Sequence, residues 1–290
     1  MSNSYTKITT MLNLQQTLEC GQCFRHEKIT EDSYKITALG KVLFVTQKAH
    51  TIELSATQEE LDTLWLDYFD MRRNYNDVKL ALSANDSVMA KATAFSPGLH
   101  ILNQNPWETL ISYIISQHNA IPNIKRVVKN LCERYGKPIL QTNHPNTQNT
   151  TFAPEYTFPT PESLLEAGLD GLTSCKTGFR AKYIIDACNK AINGEIPLTR
   201  DVSTPTNELR ETLMKINGVG NKVADCTLLY GYSRTDCFPI DVWIKRLMEQ
   251  HYFGGVETPL KEISAFATSH FGELSGFANI YLFNYRNGSK

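Results

Sequence analysis

The spacing of apolar residues changes character near residue 106, and that change decides the fold class. Between about Cys23 and Ser55 the chain runs in short stretches, SYKITAL, KVLFVTQ and TIELSA, rich in β-branched and aromatic residues. Gly40-Lys41 separates two of them as a turn, so the pattern predicts an antiparallel meander. In TQEELDTLWLDYF, Thr57 and Glu60 have the spacing of a capping box, and Leu61, Leu64, Trp65, Tyr68 and Phe69 follow at helical intervals. A second helix is predicted over about residues 76–94, with Asn85 as a break, and this part ends near Pro97-Gly98. From Pro106 onward no strand pattern is found. PWETLISYIISQHN opens with proline, where a missing N–H costs a helix nothing, and IPNIKRVVKNLCERYG repeats the device and ends at Gly136. Further helices are predicted to start near Pro161, Ala181, Thr206, Asn221, Asp241, Pro259 and Gly276. Residues 141–157, dominated by Asn, Thr and Pro, read as a long exposed loop. The expectation is an α+β protein, with an N-terminal sheet-and-helix domain over 1–105 and an all-α domain over 106–290.

Composition supports an ordinary globular chain: 290 residues, 41% hydrophobic, 20% charged, formal net charge −1. That balance carries no global argument for a nucleic-acid partner, though a local basic face is compatible with a neutral total. Seven scattered cysteines, with no second pair beside Cys20-x-x-Cys23, suit reduced thiols better than a zinc or iron–sulfur site. No apolar run is long enough to span a bilayer and MSNSYTKITT has no signal-peptide core, so an intracellular protein is expected.

Within 206–231, Leu209, Leu213 and Ile216 space one helix and Val223, Cys226, Thr227 and Tyr230 a second. Gly218-Val219-Gly220 turns the chain between them. Glycines let the backbone turn sharply and expose its amides, and the second helix begins with unpaired N–H groups. Such a hairpin suits one phosphate of a nucleic-acid backbone, although a plain helix–helix turn would have the same glycines. Lys222 stands in the first turn of the second helix, where the helix field disfavours an ammonium group. A neutral amine there is a nucleophile; a solvated lysine at a helix end is the competing reading. Asp241 follows Pro239 and precedes an apolar helix. It is an N-cap by position, and a carboxylate so placed can also take a proton or support positive charge. Cys226, one turn from Lys222, shares its face.

GVGNKVADC followed by FPIDVW resembles the helix-hairpin-helix glycosylase motif with its following aspartate, and more narrowly the 8-oxoguanine DNA glycosylase/AP lyase family. ECGQCFRH near the start, LISYIISQHNAIPNIKRVVKNLCERYG, GFRAKYI and GFANIYLF also resemble segments of that family, in the same order. The resemblance implies a TATA-binding-protein-like antiparallel β domain with helices, followed by an all-α helix-hairpin-helix catalytic domain. It implies that Lys222 attacks C1′ of the damaged nucleotide, expels the base and forms a Schiff base that permits β-elimination, with Asp241 assisting. It implies that the carbonyl of Gly21 reads the N7–H that oxidised guanine has and guanine lacks, that Cys226 and Phe283 sandwich the everted base, and that Pro239 and Asn279 line its edge. For the DNA it implies contacts from Gly218, Gly220, Val223, His118, Asn123, Phe179, Arg180 and Trp243, with Lys125, Arg126 and Lys129 flanking the cleft. Formamidopyrimidine-guanine is a related substrate on this reading. The resemblance implies double-stranded DNA containing oxidised guanine as the partner and a DNA-associated monomer, with neither cofactor nor metal expected.

The chain departs from the pattern at several positions. Asn217 replaces the usual proline of the hairpin, Trp243 a phosphate-contacting histidine, Phe179 a tyrosine, and Asn279 a glutamine. His118 and Asn123 stand where eukaryotic relatives recognise the opposite cytosine with Asn and Arg, so a weak preference for cytosine is expected. Two other readings stay open. An alkylated-base glycosylase would use the aspartate without a lysine, and a non-catalytic DNA-binding hairpin would need neither. An endonuclease-III-like enzyme would bring four clustered cysteines near the C-terminus, and the last cysteine here is Cys237.

Overall fold

The computed structural model describes residues 5–140, 153–200 and 203–286. The chain opens with strand β1 (Thr6–Thr9) and a short helix α1 (Leu14–Leu18). Strands β2 (His26–Lys28), β3 (Ser33–Ala38), β4 (Lys41–Lys48) and β5 (Thr51–Leu54) follow as the expected meander. The sheet is antiparallel in the order β1-β5-β4-β3-β2. β1 is an addition to the sequence reading. It pairs Thr6 with Leu54 and Thr9 with Thr51, a long-range partnership that leaves little local pattern.

The capping box is present: Thr57 accepts from the Glu60 amide and Glu60 from the Thr57 amide, at 3.1 and 3.0 Å. The helix it starts is α2 (Gln58–Glu60), widens into a π turn over Leu61–Trp65, and closes as α3 (Leu66–Tyr68). The stretch predicted over 76–94 is two helices, α4 (Tyr75–Ser83) and α5 (Ser87–Phe95). The break is capped by Asp86, not Asn85: its carboxylate accepts from the amides of Val88 and Met89.

Helices α6 (Pro106–Ser116) and α7 (Ile121–Tyr135) both carry proline in the first turn. They are followed by α8 (Pro161–Ser174), kinked at Gly168, a 3-10 turn over Gly178–Arg180, and α9 (Ala181–Ile192). Then come α10 (Thr206–Met214), α11 (Asn221–Tyr230), α12 (Val242–Tyr252), α13 (Leu260–Phe271) and α14 (Ser275–Tyr285). The expectation of no strand beyond Pro106 is corrected by a small hairpin, β6 (Pro138–Ile139) with β7 (Glu155–Tyr156). Two residues a side are too few to show a period. β7 also falls within the loop predicted for 141–157, most of which lies outside the described residues. Glu155 uses the hairpin to reach Lys35 of β3 at 2.7 Å.

Two apolar clusters hold the molecule. One lies between the sheet and the helical stretch behind it, around Leu18, Leu43, Ile52, Leu54, Trp65 and Phe69. The other joins the helices after residue 106 to Tyr75, Val78, Leu82, Met89 and Ala92 of α4 and α5, and to Cys20 and Phe24. Each fully buried large apolar side chain contributes about 1.5–3 kcal/mol relative to exposure. Because Cys20 and Phe24 belong to the second cluster, the segment between α1 and β2 is drawn against the helices, which places Gly21 beside them.

Candidate active site

The hairpin between α10 and α11 is as the sequence suggests, and the two glycines serve it differently. Gly218 has φ +76°, and a Cβ there would lie 2.4 Å from the ring of Tyr183. Asn217 donates its amide to Asp186 at 2.7 Å, a tie that the usual proline could not make. An ion pair of 2.6 Å between Arg210 and Asp225 clamps the two helices. The first amides of α11 have no side-chain cap. They remain donors for an anion.

Lys222 is half-buried in that first turn. Its Nζ donates to Ser116 Oγ at 3.3 Å and lies 4.9 Å from the centre of the Tyr113 ring. The negative face of the ring offsets the unfavourable field at the helix N-terminus. Tyr113 itself stacks on Tyr230, with centroids 5.7 Å apart. The thiol of Cys226 is buried beside the amine. Burial pushes it up to about 11, with Lys222 pulling the other way. At neutral pH it is a thiol.

Asp241 is the N-cap of α12, and its Oδ1 accepts the Ile244 amide at 2.8 Å. The segment before it is fixed from α14: buried Asn279 donates its side-chain amide to the carbonyl of buried Pro239 at 2.8 Å. A carbonyl only accepts, so the nitrogen of Asn279 faces Pro239 and its oxygen points away.

Gly21 has φ +96°, a conformation costly for any other residue. The neighbouring Gln22 is buried and holds the turn from three sides. Its side chain donates to the carbonyls of Thr17 and His100 and accepts from the Leu102 amide, each at 2.8 Å. Among the described residues, the Gly21 carbonyl is reached only by the Tyr113 hydroxyl at 3.5 Å, which is shared with the Gln22 carbonyl at 3.4 Å. A side chain at position 21 would meet Ile121 and Phe283.

Lys222, Asp241, Gly21, Cys226, Pro239, Asn279, Phe283, His118 and Trp243 line one cleft of about 770 Å³. That is room for a nucleobase with its sugar. Gly218, Gly220 and Val223 belong to the hairpin outside this lining. Asn123 on α7, and Phe179 and Arg180 in the 3-10 turn before α9, also lie outside it. Asn123 accepts from Arg126 at 3.0 Å in the first turn of α7. Phe179 is 51% exposed. Arg180 is buried instead of facing solvent: it donates to the carbonyls of Gln117, His118 and Thr177, and so braces the loop that carries His118. Lys125 also points inward, 2.9 Å from His26 Nε2. Lys129 pairs with Glu133 on the exposed face.

The sequence reading did not single out Tyr113, Ser116 or Arg286. The guanidinium of Arg286 lies 3.9 Å above the Phe283 ring. Burial lowers its pKa, and Asp241 opposes the shift. Tyr113 and Ser116 were visible only as members of the apolar run of α6; their three-residue spacing is the one signal that they share a face. Among the described residues, no group of three or more His, Cys, Asp or Glu side chains is placed to hold a metal.

Residues 4–110 match the 8-oxoguanine DNA glycosylase N-terminal domain family, and residues 111–268 the HhH-GPD superfamily of base excision DNA repair proteins. The chain is 32% identical to the N-glycosylase/DNA lyase of Saccharomyces cerevisiae, over 83% of this chain and 68% of that protein. Its fold superposes on MBOgg1, solved in complex with a low-affinity DNA ligand, with a TM-score of 0.91 and 40% identity, covering 100% of this chain and 97% of that one. The Clostridium acetobutylicum 8-oxoguanine glycosylase/lyase, solved with double-stranded DNA containing cytosine opposite 8-oxoguanine, gives a TM-score of 0.88 at 36% identity, covering 97% of this chain and 93% of that one.

Proposed function

The chain belongs to the 8-oxoguanine DNA glycosylase family and is a DNA N-glycosylase/AP lyase, and on that premise we propose that it everts 8-oxoguanine from duplex DNA and releases it through a Schiff base on Lys222. The base and C1′ are buried in a duplex, so the nucleotide has to leave the stack to be reached. The observation that carries the reading is the shared cleft: the amine of Lys222, the carboxylate of Asp241 and the left-handed turn at Gly21 open on one space.

Lys222 Nζ forms a bond to C1′ as the C1′–N9 bond breaks, and the electron pair leaves with the base. Asp241 receives a proton from the amine and balances positive charge on the sugar. Breaking of the C1′–O4′ bond then opens the sugar to an iminium, with Asp241 returning its proton to O4′; the iminium acidifies C2′, Asp241 takes that proton, and the 3′ phosphate is expelled, which is the lyase step. The Gly21 carbonyl accepts the N7–H of oxidised guanine. Normal guanine presents an acceptor there, and two opposed acceptors leave both unsatisfied. Cys226 and Phe283 hold the base between them. With His118 and Asn123 in place of the cytosine-reading pair, discrimination by the opposite base is weak.

Borohydride reduction tests this reading. Incubation with a duplex containing 8-oxoguanine is expected to yield a covalent protein–DNA adduct, and Lys222→Gln to remove it. A wild-type protein that excises the base without forming an adduct would point instead to water as the nucleophile, activated by Asp241.

A further inference from the structure

We propose that Ser116 is the positioning residue of the nucleophile: its hydroxyl oxygen holds one N–H of Lys222 and so aims the amine lone pair into the cleft. The inference rests on the reading of Lys222 as nucleophile and adds a residue to it.

The geometry fixes the direction of each hydrogen bond. Ser116 is the last residue of α6, and its hydroxyl donates to the carbonyl of Tyr113, one turn back, at 2.8 Å. A main-chain carbonyl cannot donate, so the single hydroxyl proton is committed there. The lone pairs of Ser116 Oγ are what remain, and Lys222 Nζ is 3.3 Å away. Ser116 is therefore an acceptor for the amine and not a source or sink of its proton. Proton removal is left to Asp241.

In the neutral form that attacks, a primary amine has two N–H groups and one lone pair. Lys222 reaches the site on a flexible four-carbon stem, and an unrestrained amine would spend most of its time misdirected. Two contacts from α6 restrain it: the oxygen of Ser116 and the face of Tyr113, 4.9 Å from Nζ. Tyr113 restricts position without setting rotation about the terminal bond. A directional hydrogen bond to Ser116 sets rotation, and near-attack geometry depends on it. Because Ser116 ends α6 and the loop that follows carries His118, the same helix end orients the nucleophile and leads into the His118 loop at the edge of the cleft.

The test compares the full-length wild type with Ser116→Ala and Ser116→Thr under single-turnover conditions. Adduct formation with borohydride is followed on an 8-oxoguanine duplex and on an abasic-site duplex. Affinity is measured separately on a duplex with an uncleavable tetrahydrofuran abasic analogue. Ser116→Ala is expected to slow adduct formation on the order of tenfold on both substrates, with affinity for the analogue unchanged. Threonine keeps the hydroxyl and is expected to restore the rate. Adduct formation by Ser116→Ala at the wild-type rate would overturn the inference. So would a loss of affinity equal to the loss of rate, or a threonine variant no better than alanine. If the wild type itself gives no adduct, the assignment of Lys222 fails first and the role of Ser116 falls with it.

Discussion

Asn279 on α14 and Pro239, two residues ahead of Asp241, are joined by a 2.8 Å hydrogen bond made away from water. It fixes the segment that carries the carboxylate into the cleft. Replacing Asn279 by Ala leaves the Pro239 carbonyl buried without its donor, at a cost of about 1–3 kcal/mol. The expected result is a lower melting temperature together with a fall in single-turnover excision that exceeds any fall in DNA affinity. A variant that melts and turns over like the wild type would show that Pro239 is held by other means.

Asp241→Asn separates the two duties of Asp241. Asparagine caps helices about as well as aspartate, and its Oδ1 can accept the Ile244 amide at the same place. The variant is therefore expected to fold and melt within about 1 kcal/mol of the wild type. It lacks the negative charge and the basicity, so excision is expected to slow on the order of a hundredfold or more. Unimpaired turnover would reduce Asp241 to a cap.

How much of this was legible in the sequence depends on how local the signal was. Lys222 and Asp241 sit at helix starts, where a glycine turn or a proline marks the boundary and a misplaced charge stands out. The meander and the capping box at Thr57 are likewise local. Tyr113 and Ser116 were hidden because α6 is buried along nearly its whole length, and a polar atom in an apolar run gives no hint of what it faces. Arg180, next to exposed Phe179, reads as a surface cation; only the tertiary fold shows its guanidinium spent on the carbonyls of the 117–118 loop. Lys125 is misread for the same reason, since His26, its partner, lies 99 residues away.

Acid should destabilise the protein before most of its carboxylates titrate. Burial depresses both His26 and His100 to about 4. His100 faces the Phe69 carbonyl with Nδ1 at 3.0 Å and stacks on Tyr75; His26 faces the Lys125 amine, which further disfavours its charged form. In the unfolded chain both take up protons near 6.5. Between that value and 4 the unfolded state binds more protons than the folded one, so stability is complete above about 6.5 and is lost as the pH falls toward 4. Melting temperatures from pH 7.5 to 5 are expected to decline, and His26→Gln with His100→Gln to flatten the decline. An identical slope in the double variant would assign it to other groups.

The opposite-base preference is expected to be shallow. His118 is exposed at the mouth of the cleft, and Asn123 lies outside the lining with its side-chain oxygen engaged by Arg126. Neither offers the long bidentate donor that suits a cytosine edge. Excision of 8-oxoguanine opposite C, A, G and T is expected to agree within about tenfold, the scale of a single lost contact. A preference for cytosine of several hundredfold would require a recognition residue elsewhere on the loop.

The two hairpin glycines should separate stability from binding. Gly218 is demanded by the protein itself, through its left-handed φ and the Tyr183 ring 2.4 Å from where a Cβ would sit. Gly218→Ala is expected to cost about 1–3 kcal/mol of stability. Gly220 has φ −103° and ψ −177°, ordinary extended backbone, and nothing within 4 Å of an added Cβ. The protein alone gives no reason for glycine there; the close approach of a phosphate to the uncapped amides of α11 does. Gly220→Ala is therefore expected to melt like the wild type while binding duplex DNA more weakly, read by fluorescence anisotropy at fixed salt. Undiminished affinity in that variant would move the phosphate contact away from the hairpin.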